Sequence, residues 1–218
     1  MTDSALQRKN MVESQVRPSD ISDRRITAAM QEVARETFVP SEAERSLAYM
    51  DGALPVSPGR AMMAPRTLAR LLQLANIEPT SKVLVVGALT GYSAVIAARM
   101  AANVVALEAD ATLVAAAREN VARASAGNVE VVQGDLVAGY SAGAPYDIIL
   151  LDGAVEEIPE GLATQIGQGG RLVAIETSAG LGHAIVLAKI GRVLSKRVAF
   201  EAGAPALPGF ARPAGFVF

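Results

Sequence analysis

The run Lys82-Val83-Leu84-Val85-Val86-Gly87 constrains the fold more than any other feature of the sequence. Its apolar residues are mostly β-branched and fall on both faces of an extended chain. That is the pattern of a parallel strand covered by helices on either side. The same unit recurs. A helix is expected from Gly91, then a second strand over Val104 to Glu108. Asp110 is placed to cap a third helix with Leu113, Ala117 and Val121 on its inner face. Strands follow over Val129 to Val132, ending at Gly134-Asp135, and over Tyr146 to Leu151, ending at Asp152-Gly153. A helix over Pro159 to Gly167 leads to a fifth strand, Arg171 to Ile175, and two further strands are expected near Ala184 to Ile190 and Arg192 to Ala199. Alternating strands and helices predict an α/β fold with an open, doubly wound, mostly parallel sheet of Rossmann-like type.

The first 80 residues read differently, as a helical cap on the core formed by 81–218, the whole making one domain over 1–218. A helix over Met11 to Val16 ends where Pro18 biases Arg17 away from helical geometry. Asp20 or Ser22 starts a second helix, with Ile26, Ala29, Met30 and Val33 at helical spacing. Ser41 and Glu44 have the spacing of a capping box for a short helix to Tyr49. Leu54 to Pro65 reads as an ordered loop, and a helix from Pro65 turns Leu68, Leu71, Leu72 and Ala75 to one side. Gly203 to Pro213 is read as an ordered loop rather than a mobile tail, leading to a last short strand, Gly215 to Phe218.

Composition excludes several classes of chemistry. With no Cys, there are no disulfides, thiolate metal sites or cysteine nucleophiles. The single His183 cannot build a histidine-rich metal site, and a sheet or surface position suits it. Net charge is -2, which offers no field for a nucleic-acid backbone. The most apolar window, Val83 to Ala98, is broken by Gly87, Thr90, Gly91 and Ser93, short of the roughly 18 uninterrupted apolar residues of a membrane span. No basic and apolar leader is visible at Met1. A soluble, cytoplasmic protein with no nucleic-acid or membrane partner is expected.

In open α/β sheets, ligands bind beyond the carboxyl ends of the strands, where strand order reverses. Three strand ends carry informative residues. Gly87 to Tyr92 is a glycine-containing turn before a helix, suited to backbone approach by a ligand. Glu108, about twenty residues later, is spaced to accept the hydroxyls of a ribose. Asp135 follows the third strand, where a carboxylate accepts a base amino group. Together they describe an adenosine pocket. Gly87 and Gly91 are spaced G-x-x-x-G, not G-x-G-x-x-G, which disfavours a nicotinamide dinucleotide against S-adenosylmethionine.

With those residues, the chain resembles the protein-L-isoaspartate O-methyltransferase family along nearly its whole length. The resemblance rests on Met11-Val12 with Gln15, Arg35-Glu36, Phe38-Val39-Pro40, Tyr49 with Asp51, Pro58-Gly59 and Pro65. It continues through Gly87, Gly91-Tyr92, Glu108, Asn128-Val129, Gly134-Asp135, Tyr146-Asp147, Ile158-Pro159, Gln165 and Gly169 to Val173. It implies a metal-free, cytoplasmic, monomeric or weakly dimeric methyltransferase of the S-adenosylmethionine-dependent fold, acting in repair on isoaspartyl-containing proteins or peptides. It also implies cofactor contacts from Gly87, Ala88, Thr90, Gly91 and Tyr92, from Glu108 and Ala109 at the ribose, and from Asp135 and Leu136 at the adenine. The isoaspartyl chain would sit between the Gly59 to Pro65 loop and the loop after Leu151.

Several positions depart from that family. Its substrate-contacting serine and threonine fall on Met63 and Ala61, leaving Ser57 as a replacement donor. An acidic residue of the first strand is Val85, and the middle glycine of the turn is Leu89, whose side chain crowds a ligand unless the turn relaxes. Asp152 reads either as a strand-end turn residue or as a general base suited to a hydroxyl or amine acceptor. Ser57, Met63 and Asp152 are therefore the candidate catalytic positions. A catalytically degenerate binding protein, or a methyltransferase with another acceptor, is the alternative.

Overall fold

The computed structural model describes residues 3–212, so the strand expected over Gly215 to Phe218 lies outside the described residues. Helix α1 (Asp3–Met11) runs into a π-helical turn, Val12–Val16, and a 3-10 turn, Arg17–Ser19. Helix α2 (Arg24–Glu32) is capped by Asp23, not by Asp20 or Ser22; its carboxylate accepts the Arg25 N–H at 2.8 Å. The Gln73 amide takes up the preceding loop, accepting from Ser22 N and donating to the Asp20 carbonyl. Helix α3 (Glu42–Arg45) is a single turn, and Ser41 makes no capping bond, so the expected capping box does not form.

The segment expected to be a loop is a hairpin. Strands β1 (Leu54–Ser57) and β2 (Arg60–Met62) pair antiparallel around Pro58-Gly59. Gly59 has φ +71, which proline followed by glycine supplies at the two central positions of a tight turn. This hairpin fixes Arg60 at the first residue of its second strand. Helix α4 (Pro65–Ala75) follows, with Pro65 in its first turn.

The core then alternates as expected: β3 (Lys82–Val86), α5 (Tyr92–Ala98), β4 (Asn103–Glu108), α6 (Ala111–Arg123), β5 (Val129–Gln133), β6 (Tyr146–Val155), α7 (Glu160–Ala163), β7 (Ile166–Ser178), β8 (Leu181–Ile190) and β9 (Val193–Glu201). The sheet order is β5-β4-β3-β6-β7-β8-β9, parallel as far as β7 and antiparallel beyond. Strand order reverses between β3 and β6. Side-chain alternation splits the core in two. Val83 and Val85 join a cluster with Met11, Ile26, Met30, Phe38 and Leu72 of the N-terminal elements. Leu84 and Val86 face a second cluster with Leu136, Leu162, Leu207 and Phe210. Because α7 is much shorter than the helix expected over Pro159 to Gly167, that second face is completed in part by the chain after β9. His183 lies on β8, opposite Glu176, as a sheet residue.

Asp110 accepts the N–H groups of Thr112 and Leu113, at 2.8 and 3.0 Å, and so satisfies two otherwise free donors at the start of α6. Asp110→Ala is expected to lower stability by about 1 kcal/mol in urea unfolding; an unchanged midpoint would contradict the cap.

Candidate active site

The turn after β3 and the end of β4 meet as expected, but their polar groups are already engaged. Glu108 is fully buried, and five donors converge on its carboxylate. Three are backbone amides: Leu89 at 2.9 Å, Ala109 at 2.8 Å and Asp110 at 3.2 Å. The other two come from Arg60, whose guanidinium donates from Nη1 to Oε1 and from Nη2 to Oε2, both at 2.8 Å. A bidentate pair of this geometry is strong and directional. Glu108 ends β4 where the sequence pattern puts it, and Arg60 was not foreseen as its partner. The available signal was a cation directly after the Pro58-Gly59 turn.

The remaining predicted cofactor residues divide. The N–H groups of Gly87 and Ala88 both donate to the Leu107 carbonyl, and Gly91 donates to Ala88. Leu89 takes φ +52, so the turn relaxes into left-handed geometry without glycine, and its side chain is buried. Such a conformation costs about 1 kcal/mol or more outside glycine; the amide bond to Glu108 and side-chain burial offset it. Thr90 and Tyr92 make their contacts with the N-terminal cap. The Thr90 hydroxyl donates to the Phe38 carbonyl at 2.6 Å, and the Tyr92 ring packs edge-on against Phe38 and under Arg35. These two side chains tie α5 to the N-terminal cap. Asp135 is exposed, with one oxygen taken by Val137 N–H, and Leu136 is buried beside it in sequence.

A small chamber of about 10 Å3 adjoins the turn, lined by Arg35, Met63, Leu89, Tyr92, Ser93 and Asp152 among others. It brings together two of the three candidate catalytic residues, Met63 and Asp152. Ser57 lies at the hairpin end, in register with Arg60, and does not line it. Arg35 is 1% exposed; its Nε and Nη2 donate to the carbonyls of Ala48 and Met63, both at 2.8 Å. Arg35 Nη1 and the Tyr92 hydroxyl are buried and, among the described residues, pair with no side chain but each other's. Asp152 is not an exposed turn residue, because β6 continues through it to Val155 and the Ser93 hydroxyl donates to its carboxylate. Among the described residues no cluster of side chains suits a metal ion, and no helix is long and apolar enough to cross a membrane.

Burial raises the Asp152 carboxyl from its usual range to about 6, against the Ser93 hydrogen bond and the charges of Arg35 and Arg60, which lower it. The folded state therefore holds a proton that the unfolded chain releases earlier. Stability from this group is greatest below about pH 4 and falls as pH rises to about 6, by about 3 kcal/mol in all. Asp152→Asn should remove that slope in urea unfolding across the same range; parallel pH profiles for the two proteins would contradict the assignment.

Residues 6–190 match the family model described as Protein-L-isoaspartate(D-aspartate) O-methyltransferase. The protein-L-isoaspartate O-methyltransferase of Methanoculleus marisnigri is 42% identical over 168 residues, covering 77% of this chain and 76% of that one. That of Methanoregula boonei is 40% identical over 185 residues, 85% of each chain. A solved protein-L-isoaspartate O-methyltransferase superposes with TM-score 0.81 at 25% identity, over 93% of this chain; the chain spans 66% of that longer one. A Plasmodium falciparum structure titled as such a methyltransferase in complex with S-adenosyl-L-homocysteine superposes with TM-score 0.78 at 20% identity, covering 95% and 99%. The chain belongs to the protein-L-isoaspartate(D-aspartate) O-methyltransferase family and has the fold of its S-adenosylmethionine-dependent enzymes.

Proposed function

We propose that the chain methylates a carboxylate on isoaspartyl-containing proteins or peptides, using S-adenosylmethionine, in the cytoplasm and as a monomer or weak homodimer. Without cysteine it has no need of an oxidising compartment. Beyond family membership, one observation carries the acceptor assignment. Arg35 and Tyr92, whose Nη1 and hydroxyl are buried and pair with no other side chain than each other's, line a chamber beside the turn that ends β3. A buried cation with a hydroxyl beside it is what a desolvated carboxylate requires. They stand in for the hydroxyl donors replaced by Ala61 and Met63.

The cofactor, when bound, supplies a sulfonium-activated methyl group, whose transfer to a carboxylate oxygen leaves a neutral thioether. Everything else is asked of the chain. Glu108, with the amides of Ala109 and Asp110 behind it, would hold the ribose hydroxyls once freed of Arg60. Gly87 gives the close backbone approach, and Leu136 and Asp135 serve the adenine. An acceptor carboxylate is already ionised at neutral pH, so no base is needed. Arg35 and Tyr92 orient it, and the apolar walls of Met63 and Leu89 exclude water. The fit is to the backbone frame and the Glu108 carboxylate; the space itself is held by other residues of the chain, as described below. A buried carboxylate at Asp152 favours a second reading, a hydroxyl or amine acceptor whose proton Asp152 would take.

Met63→Ser combined with Ala61→Thr should raise methyl transfer to an isoaspartyl peptide, measured as methanol released from the ester. An unchanged rate would contradict the role given to this segment. Transfer to hydroxyl or amine peptides alone, lost in Asp152→Asn, would favour the second reading.

A further inference from the structure

The crevice where strand order reverses, between β3 and β6, is filled by the chain's own C-terminal segment. After β9 ends at Glu201, the chain crosses the carboxyl end of β6. Ala154 N–H donates to the Pro205 carbonyl at 2.7 Å, Leu207 N–H to Ala154 at 2.8 Å, and Glu156 N–H to Phe210 at 3.1 Å. The Arg212 N–H donates to the Glu156 carboxylate at 2.8 Å. Residues 202–212 thus form a strap, with Leu207 and Phe210 buried and Pro208 and Gly209 exposed between them.

Leu207 lies in the crevice itself. A Cβ built on Gly87, which ends β3, would come within 2.5 Å of Leu207 Cδ2. One built on Gly153 of β6 would come within 2.7 Å of Leu207 Cγ. The two glycines that would admit a ligand's close approach from either side of the reversal instead admit this one side chain. A short distance along, Arg60 covers both oxygens of Glu108 and reaches the Gly87 carbonyl at 3.5 Å. Further on, Gly209 sits against Val137, and Phe210 shares a buried cluster with Leu136. Each of the three places that would receive a nucleoside is met by a residue of the chain: the glycine turn by Leu207, the ribose carboxylate by Arg60, the adenine floor by the Gly209-Phe210 corner.

We propose that the strap and Arg60 are an internal occupant of the nucleoside cleft, so that S-adenosyl ligands bind only as the strap leaves and Arg60 releases Glu108. This rests on the reading of the cleft as the cofactor's. The strap is built to leave. Its outer side faces solvent and Gly203 at its root has open space around it; it is held by its backbone bonds to β6 and Gly182, by buried Leu207 and Phe210, and by Ala202 and Ala204 against the first cluster. Apparent cofactor affinity is then the intrinsic affinity scaled by the fraction of open chains. Strap release becomes a control point for methyl transfer.

The test uses the full chain, which has no cysteine of its own. Ala154 and Ala206 are partners in a parallel bridge, so Ala154→Cys/Ala206→Cys places a disulfide across the closed strap. S-adenosylhomocysteine is titrated calorimetrically into the oxidised and the reduced form of this one protein. The proposal expects binding to be weaker when oxidised by about tenfold or more. In the unaltered chain, saturating ligand should speed hydrogen exchange at the amides of Ala154, Glu156 and Leu207. Equal affinity in the two forms, or those amides still protected under saturating ligand, would overturn the latch and leave the cofactor reading standing. No binding in any form, including Leu207→Asp, whose strap cannot seat, would overturn both.

Discussion

The ion pair between Arg60 and Glu108 organises this structure. A carboxylate removed from water is costly unless every lone pair finds a donor, and Glu108 is supplied from three directions at once. The loop leading into α6 folds its first amides onto it, the turn after β3 contributes the Leu89 amide, and the hairpin delivers Arg60. Each contribution fixes a separate element. Left-handed geometry at Leu89 is tolerated because the amide it presents is needed there. The β1-β2 hairpin, a separate two-stranded sheet, is held by the cation it carries together with the burial of Leu54 and Met62 in the core. Losing either member would strand a buried charge, at a cost of about 3–5 kcal/mol. A ligand that offers hydroxyls to Glu108 therefore has to replace Arg60 as well as displace it.

Around this pair the N-terminal cap acts as a second wall. The Arg35 guanidinium donates to the backbone carbonyls of Ala48 and Met63 and lies against Tyr92. It joins the residues before and after the hairpin to the helix that starts at the glycine turn. The polar groups left over, Arg35 Nη1 and the Tyr92 hydroxyl, are held by packing and by the attraction between the guanidinium and Tyr92. Donors held in this way are pre-organised for an acceptor group. The room beside them is minimal because Met63 and Leu89 fill it.

Much of the core was legible because parallel strands buried on both faces carry an unambiguous signal. Val83 to Val86, Val104 to Glu108 and the Asp110 cap fall where periodicity and capping chemistry place them. Short elements were less legible. The hairpin over Leu54 to Met62 looked like a loop because Pro55 and Pro58 weigh against strand, yet both occupy positions an isolated two-stranded ribbon tolerates. The Ser41 cap does not form, and the helix it precedes is only one turn long. In the candidate site, Glu108 was singled out by its place at a strand end about twenty residues after Gly87, a spacing within one βα unit. Arg60, Arg35 and Leu207 are distant in sequence from what they touch, and no spacing rule reaches them. The contacts of Thr90 and Tyr92 with Phe38, some fifty residues away in sequence, were likewise beyond any local rule.

A crystal structure of the full chain grown with S-adenosylhomocysteine tests the central claim most directly. The account predicts the nucleoside between Gly87 and Gly153, with the Glu108 carboxylate turned to its ribose, Arg60 withdrawn, and Leu207 out of the crevice. Ligand seated elsewhere on the surface, with Arg60 still paired to Glu108 and Leu207 still between the two glycines, would contradict it.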